Sequence, residues 1–291
     1  MTKMFLNNAN DSMAFLRGND LRQLLMYIQS YVLEYRDILK LPSNVTFGLE
    51  LEYENLRQFD TNDFIDDYLD NWYSGSDGTV HSGGEVRSPI LYDNPRTWRE
   101  LQMICNFLRK NGAETKDAAG GHIHVGCNVL GSDMEAWWDF FRLYLVYEHV
   151  LCRFFYGDKL NQRRNLAEYA PPVADLMLQV VNYLESHSKP EFESLTEAYL
   201  SGKYHAINFE NVDFGRLDRV ADEGNTFEFR TPNATVNEVV EQNNVNVCTK
   251  LLVAAKRKDI AEDFLDYKIE HEFLPYRGHE YRYNEVCLKD A

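Results

Sequence analysis

Four short segments of the sequence share one polar pattern. In each segment, one apolar residue separates two ionisable side chains. The segments are Glu50-Leu51-Glu52, Glu85-Val86-Arg87, His122-Ile123-His124 and Glu228-Phe229-Arg230. Side chains two residues apart on a β-strand point to the same face of the sheet. The pattern therefore predicts strands with one apolar face and one face that gathers glutamate, histidine and arginine.

The eight polar positions favour a divalent-cation site over a solvated surface. One Glu-x-Glu pair alone is typical of a solvent-facing strand, but such strands usually also carry Lys, Thr, Gln or Ser, and these eight positions do not. Several carboxylates in one space repel one another unless a cation or an arginine compensates them. Mg2+ or Mn2+ suits carboxylate oxygens with an occasional imidazole. The candidate ligands are Glu50, Glu52, Glu85, His124 and Glu228.

Two nearby features have a structural interpretation as well as a functional one. Asp77 lies in a Gly-rich segment shortly before Glu85, where an Asp-Gly hairpin turn explains it at least as well as a role in the site. His122 and Cys127 have the donor types of a zinc site. Strand alternation argues against zinc, because Cys127 should point away from the histidines if the strand continues.

Arg163, Arg164 and Lys203 are candidate anion-binding residues. The two arginines are adjacent and follow a long aromatic-rich run, in a segment with few hydrophobic residues. Adjacent arginines are more often surface charge than an anion site, and their interest rises only where phosphate must be bound. Lys203, just before the segment HAINFEN, is a weaker case of the same kind.

Composition and charge limit the classes of partner. The chain has 291 residues, 44% of them hydrophobic, and a formal net charge of −16, which repels phosphate backbones and anionic lipids. A nucleotide remains compatible with this charge when Mg2+ screens its phosphates. The five cysteines are scattered without a CxxC pair, and no apolar stretch is long enough for a membrane span. We expect a soluble cytoplasmic protein with reduced thiols and no nucleic-acid or membrane partner.

Helical periodicity and capping residues predict six helices between these polar segments. The predicted helices are 20–40, one from Asn94-Pro95 to Lys110, one over 136–156 with a Ser132/Glu135 capping box, 171–187, 191–200, and one capped by Thr235 and Glu238 that reaches Lys256. The predicted strands are VTFGLELEYENL, EVRSPIL, GGHIHVGCNV, HAINFENV and NTFEFRT. No regular βαβ rhythm or GxGxxG loop is present. We expect an α+β fold with a curved, largely antiparallel sheet backed by helices.

Six motifs occur in the order found in a known family. FGLELE, DGTVHSGGEVRSP, GGHIHVG, QRRNLAEYA, HAIN and TFEFRTPNATVN resemble those of the amidoligase family, whose members are carboxylate-amine ligases related to glutamine synthetase and glutamate-cysteine ligase. The resemblance covers about residues 44–256. It implies a glutamine synthetase-like catalytic domain over 44–270, with an N-terminal helical extension over 1–43 and a C-terminal tail over 271–291.

The resemblance also implies a reaction and roles for residues. It implies ATP-dependent amide formation through an acyl phosphate, with Mg2+ or Mn2+, from a carboxylate and an amine of a small molecule, peptide or protein. The implied metal ligands are Glu50, Glu52, Glu85, His124 and Glu228. The implied catalytic residues are Arg230, His124 and Glu228. The implied nucleotide-binding residues are Arg87, Arg163, Arg164, Lys203 and Arg230. His205 departs from the family pattern, which leaves the role of His205 and Asn208 open.

Two other classes of function remain. A metal-dependent hydrolase or phosphotransferase can use the same acidic cleft, because a site of carboxylates and histidine also activates water. A binding protein that has kept the fold and lost turnover is the third hypothesis. Release of phosphate from ATP that requires both a carboxylate and an amine distinguishes a ligase from a hydrolase. Failure to bind nucleotide at millimolar metal argues against the ligase and the hydrolase hypotheses alike. The sequence does not fix the oligomeric state.

Overall fold

A six-stranded antiparallel sheet organises the part of the chain that the computed structural model describes, which is residues 33–273 except 77, 79, 81, 116–118, 157–168 and 223. The strands are β1 (Phe47–Tyr53), β2 (Tyr73–Gly75), β3 (Gly84–Arg87), β4 (Gly121–Gly126), β5 (Ile207–Asn208) and β6 (Thr226–Phe229). Their order across the sheet is β2-β3-β1-β4-β6-β5. The sheet is open and curled, and the expected α+β fold with a largely antiparallel sheet is confirmed.

Strand alternation divides the sheet into an apolar face and a polar face. In β1, Leu49 and Leu51 are 1% exposed and belong to the main hydrophobic core, together with Ile123 of β4 and Phe229 of β6. Glu50 alternates with the two leucines and therefore points to the opposite face. The apolar face binds the helices, so the polar face is left to hold the ionisable side chains.

Helices cover the apolar face of the sheet. The α-helices of the described residues are α1 (Gln58–Tyr68), α2 (Pro95–Lys110), α3 (Met134–Tyr156), α4 (Ala174–Tyr183), α5 (Lys189–Leu200), α6 (Glu238–Arg257) and α7 (Glu262–Lys268). Trp137 and Phe140 of α3 are fully buried, and both contact Phe227 of β6, with ring centroids 4.9 Å and 5.4 Å away. This aromatic packing fixes β6 against the longest helix. None of the described helices combines the length and apolarity that crossing a membrane requires.

The helix ends show where local patterns decide the structure. The Asn94 side chain accepts hydrogen bonds from the backbone N–H groups of residues 96 and 97, so the predicted cap of α2 is confirmed. The two predicted capping boxes are wrong in position. Asp133 accepts from the N–H of Ala136 at the start of α3, and Asn237 caps α6. Asp and Asn compete well with Ser and Thr for this position, and here they lie closer to the helix.

The predicted helix over 20–40 is wrong where it can be compared. Residues 33–40 are irregular, and residues 20–32 lie outside the described part of the chain. Asp93 accepts hydrogen bonds from the backbone N–H groups of Leu39 and Leu41, and the Gln242 amide bonds both the N–H and the C=O of Arg36. Side chains distant in sequence thus take the backbone groups that a helix would have paired.

Candidate active site

Three strands bring two carboxylates and an imidazole into one group on the polar face. Glu50 of β1, His124 of β4 and Glu228 of β6 each offer one ligand atom, and these three atoms lie within 4.8 Å of one another. The arrangement follows from the strand order, because β4 lies between β1 and β6 and His124 pairs directly with Glu228. We call Glu50, His124 and Glu228 the central triad.

His122 lies among the carboxylates around the central triad. Its Nδ1 is 2.8 Å from Glu50 Oε2 and 3.5 Å from Glu228 Oε1, while its Nε2 is 3.7 Å from Glu52 Oε1. Glu52 also accepts a hydrogen bond from the backbone N–H of Gly120. The imidazole therefore bridges three carboxylates from two strands, β1 and β6, which reduces their mutual repulsion.

An arginine lies at each end of the cluster of carboxylate side chains. Arg87 donates two hydrogen bonds to Glu85, of 2.9 Å and 2.7 Å, and its Nε is 3.9 Å from Glu50 Oε1. At the other end Arg230 donates to Glu228 Oε1. The Arg230 side chain is 14% exposed, whereas the Arg87 side chain is 53% exposed. The paired geometry suits arginine, whose planar fork matches two oxygen acceptors at once.

The second oxygen of Glu228 is held by an amide. Asn208 of β5 lies opposite Glu228 in the sheet, and its Nδ2 donates to Glu228 Oε2 over 2.6 Å. Arg230 is oriented in turn by the backbone carbonyl of Tyr169, 3.4 Å from its Nε. Partners that orient ligands and arginines in this way fix the rotamers on which a site depends.

Pairing and burial shift the pKa values of Glu50, His124 and Glu85. Burial acts to raise the pKa of the Glu50 carboxyl, but its hydrogen bond with His122 and its charge interactions with both histidines outweigh burial and hold that pKa well below its usual range. Burial acts to lower the pKa of His124, and pairing with Glu50 outweighs it and raises that pKa. Burial raises the pKa of Glu85 to about 7, against the opposing effect of Arg87. Bound protons and arginine side chains thus compensate the negative charge of the carboxylates on this face.

The donor set of the central triad fits a hard divalent cation. His124 Nε2 is buried, and although it lies 3.2 Å from Glu50 Oε1, its angles do not make a hydrogen bond. An imidazole nitrogen in this position is available as a ligand. The other ring nitrogen, Nδ1, lies 3.1 Å from Thr226 Oγ1, a contact that orients the ring. Two carboxylates and one imidazole are ligands that Mg2+ and Mn2+ accept.

The structure brings most, but not all, of the predicted site residues together. All eight residues of the four polar pairs are linked by the contacts given above. Lys203 is exposed, and its Nζ lies 4.9 Å from the centre of the Tyr204 ring. His205 is partly buried, its Nδ1 has no hydrogen-bond partner among the described residues, and burial lowers its pKa. Asp77, Arg163 and Arg164 lie outside the described residues.

The zinc alternative is wrong for Cys127. This cysteine is fully buried in the main hydrophobic core, together with Ile123 and Val125. It therefore lies on the apolar side of the sheet, away from His122. Alternation along β4 and the turn that follows Gly126 place the thiol there, as the parity of the sequence had indicated.

The sequence interpretation left two contacts of the site without a role. Asn208 contacts Glu228. The only signal in the sequence that places Asn208 on the polar face is the strand alternation in HAINFENV. Thr226 contacts His124, and it begins the strand that carries Glu228. Polar residues of this kind are common on any strand, so only the pairing of the strands identifies them.

A comparison with models of known protein families gives a match. The chain matches the model of the family described as "Putative amidoligase enzyme" over residues 58–252, which is about two thirds of its length. The matched region includes β3, β4 and β6, which supply three of the four polar pairs. It begins after β1, yet β1 pairs with β3 on one side and β4 on the other. No curated protein matches the chain at a significant level.

Proposed function

The chain belongs to the amidoligase family, and from this premise we propose that it is an ATP- and Mg2+-dependent ligase that joins a carboxylate to an amine. Ligase chemistry in general follows from the family. The finer proposal is supported above all by one observation, the central triad of Glu50, His124 and Glu228 with an arginine at each end of the surrounding carboxylates. That combination of charges suits phosphoryl transfer.

The central triad would hold the cation, with Glu52 and Glu85 beside it. Mg2+ bound there would neutralise phosphate oxygens and stabilise the charge that develops as phosphate is transferred. The chain supplies the rest of the electrostatics. Arg230, which Glu228 and the Tyr169 carbonyl orient, is suited to bind the transferred phosphoryl group. Arg163, Arg164, Lys203 and Arg87 are further candidates for anion binding, on the family pattern.

The proposed reaction balances as two displacements. A carboxylate oxygen of the substrate attacks the γ-phosphorus of ATP, a C–O–P linkage forms, and ADP leaves with the electrons of the broken P–O bond. The amine nitrogen then attacks the acyl carbon, a C–N bond forms, and inorganic phosphate leaves with the electrons of the C–O bond. The proton that the amine loses passes to a base or to water. Carboxylate is a poor electrophile, so the first displacement provides the better leaving group.

Hydroxylamine distinguishes a ligase from a hydrolase. It replaces the amine and converts an acyl phosphate into a stable hydroxamate, so a panel of L-amino acids and dipeptides can be assayed with ATP, Mg2+ and hydroxylamine. The proposal expects hydroxamate formation that depends on one class of carboxylate, with equal release of phosphate. ATP hydrolysis that is independent of every carboxylate would indicate the hydrolase instead. Absence of nucleotide binding would indicate a binding protein that has lost turnover.

A matched pair of variants connects the assay to the site. Glu228→Gln removes the charge from a carboxylate of the central triad and keeps its size, so we expect loss of hydroxamate formation with an unchanged fold. Glu241→Gln makes the same substitution at a buried carboxyl group of α6, which has no described contact with the polar face, and should retain activity. Equal activity in wild type and Glu228→Gln would remove Glu228 from the mechanism.

A further inference from the structure

Tyr73 is an exposed aromatic residue at the edge of the polar face. It is the first residue of β2, the edge strand, and 60% of it is exposed, while the next residue, Ser74, is 2% exposed. In the antiparallel pairing of β2 with β3, Tyr73 lies directly opposite Arg87. Directly opposed side chains share a face of the sheet and lie close together. Tyr73 therefore stands beside Arg87, on the face that carries the central triad.

The Tyr73 ring lies along its own strand toward Glu85. A Cβ atom added to Gly75 would be only 2.9 Å from Tyr73 Cε1, so the ring packs close to the backbone at that glycine. Gly75 in turn pairs with Glu85 of β3. Because glycine has no side chain, the ring can occupy this space and still remain largely exposed. The result is an aromatic surface next to the Glu85–Arg87 ion pair.

Arg87 keeps hydrogen-bonding capacity that the ion pair does not use. Its Nε and Nη2 atoms donate to Glu85, and its Nη1 has no hydrogen-bond partner among the described residues. More than half of the side chain is exposed. An arginine in this state has donors that face solvent and suit an external carboxylate. Arg230, at the other end of the site, is mostly buried.

The strand order separates the two arginines by the width of the site. Three strand-to-strand steps lie between β3, which carries Arg87, and β6, which Arg230 follows. At the usual spacing this is about 14 Å between their backbones. A ligase must bind a phosphate donor and an organic acid on two sides of one centre. With Arg230 on the phosphate side, the exposed Tyr73 and Arg87 are left for the acid.

We propose that Tyr73 and Arg87 form the recognition site for the acid substrate. A carboxylate group of that substrate meets Arg87, and an apolar or planar part of its skeleton packs on the Tyr73 ring. The acid is therefore an amino acid, a peptide or a similar organic acid with a carbon skeleton large enough to cover the ring. This inference rests on the proposed function, since it assigns one of the two substrates to one end of the same site.

Equilibrium binding tests the assignment without requiring turnover. The panel of L-amino acids and dipeptides is titrated by calorimetry into full-length protein with ADP and Mg2+, and ADP alone is titrated separately. Loss of an aromatic contact corresponds to about a tenfold change in affinity. We expect Tyr73→Ala to raise the Kd of the bound carboxylate by about tenfold or more, and to leave the Kd of ADP unchanged. Tyr73→Phe keeps the ring and should stay within about threefold of wild type.

Tyr183 provides a matched control. It is 55% exposed, lies on α4 and stacks on Tyr199, with no contact to the polar face among those described. Tyr183→Ala should leave both Kd values unchanged. The assignment is overturned if no carboxylate binds, if Tyr73→Ala binds the acid as well as wild type does, or if the variant weakens ADP instead. Carboxylate binding that depends on Tyr73 without any hydroxamate formation would support the recognition site and contradict the ligase proposal.

Discussion

Glu241 is a carboxylate buried on the helical side of the fold, and its removal should stabilise the protein. The residue lies in the first turns of α6 and is 0% exposed. Neither of its oxygens has a hydrogen-bond partner of good geometry among the described residues, although the Asn244 amide is close enough to act on its pKa. Burial raises the pKa of Glu241 from 4.5 to about 8, and Asn244 offsets part of the rise.

The size of the effect follows from proton linkage. Between pH 4.5 and 8 the unfolded chain has lost the Glu241 proton and the folded chain retains it. The unfolding free energy is therefore not reduced by Glu241 below pH 4.5, and it falls as the pH rises from 4.5 to 8. Each pH unit in that window costs about 1.4 kcal/mol. At pH 7 the carboxyl therefore destabilises the fold by about 3 kcal/mol, and at pH 5 by less than about 1 kcal/mol.

Urea denaturation of Glu241→Gln at pH 5 and pH 7 measures this difference. Glutamine has nearly the same volume and does not ionise, so the gain in unfolding free energy should grow from less than about 1 to about 3 kcal/mol between the two pH values. The contributions of all other titrating groups to the unfolding free energy cancel when the variant is compared with wild type at the same pH. An equal effect at both pH values would refute the reasoning, because it cannot come from an ionisation that only the wild type undergoes.

Three other substitutions have expected outcomes. Glu148→Gln should cost more unfolding free energy in urea at pH 5 than at pH 7. The amide opposes one of the N–H groups of Val173 and Ala174 with a donor at both pH values, but it also removes a carboxyl whose pKa burial raises to about 7, and equal costs at the two pH values would contradict this. Asn94→Ala should cost about 1 kcal/mol in the same measurement through loss of the α2 cap, and a neutral result would contradict that role. Arg230→Lys should lower hydroxamate formation at least about tenfold at an unchanged melting temperature, because an ammonium group lacks the planar fork of a guanidinium. Wild-type turnover in this variant would exclude Arg230 from the mechanism.

The polar pairs were predictable because a strand repeats every two residues. Glu50 and Glu52 had to share a face once the strand was assigned, and so did His122 and His124. The sequence could not show which strands are neighbours. That β1 lies between β3 and β4, so that Glu50 meets both Arg87 and the histidines, is decided by the tertiary packing of the sheet.

The errors came from interactions distant in the sequence or from elements too short to show a period. The apolar spacing over 20–40 is helical, but Asp93 and Gln242 pair with the backbone of residues 36–41, and local periodicity carries no information about them. β2 has only three residues, and the helix α1 that precedes it has four aspartates among its eleven residues and little apolar periodicity, so neither was predicted. The same short edge strand carries Tyr73, which is why the sequence interpretation did not include it.

In the proposed site, carboxylates and an imidazole from three strands hold one divalent cation. Anomalous diffraction from crystals soaked in Mn2+ locates such an ion directly. We expect one strong peak within ligand distance of Glu50, His124 and Glu228, and its absence in crystals of Glu228→Gln grown and soaked in the same way. A peak only at other residues, or no peak on the polar face of wild-type protein at saturating Mn2+, would contradict the account.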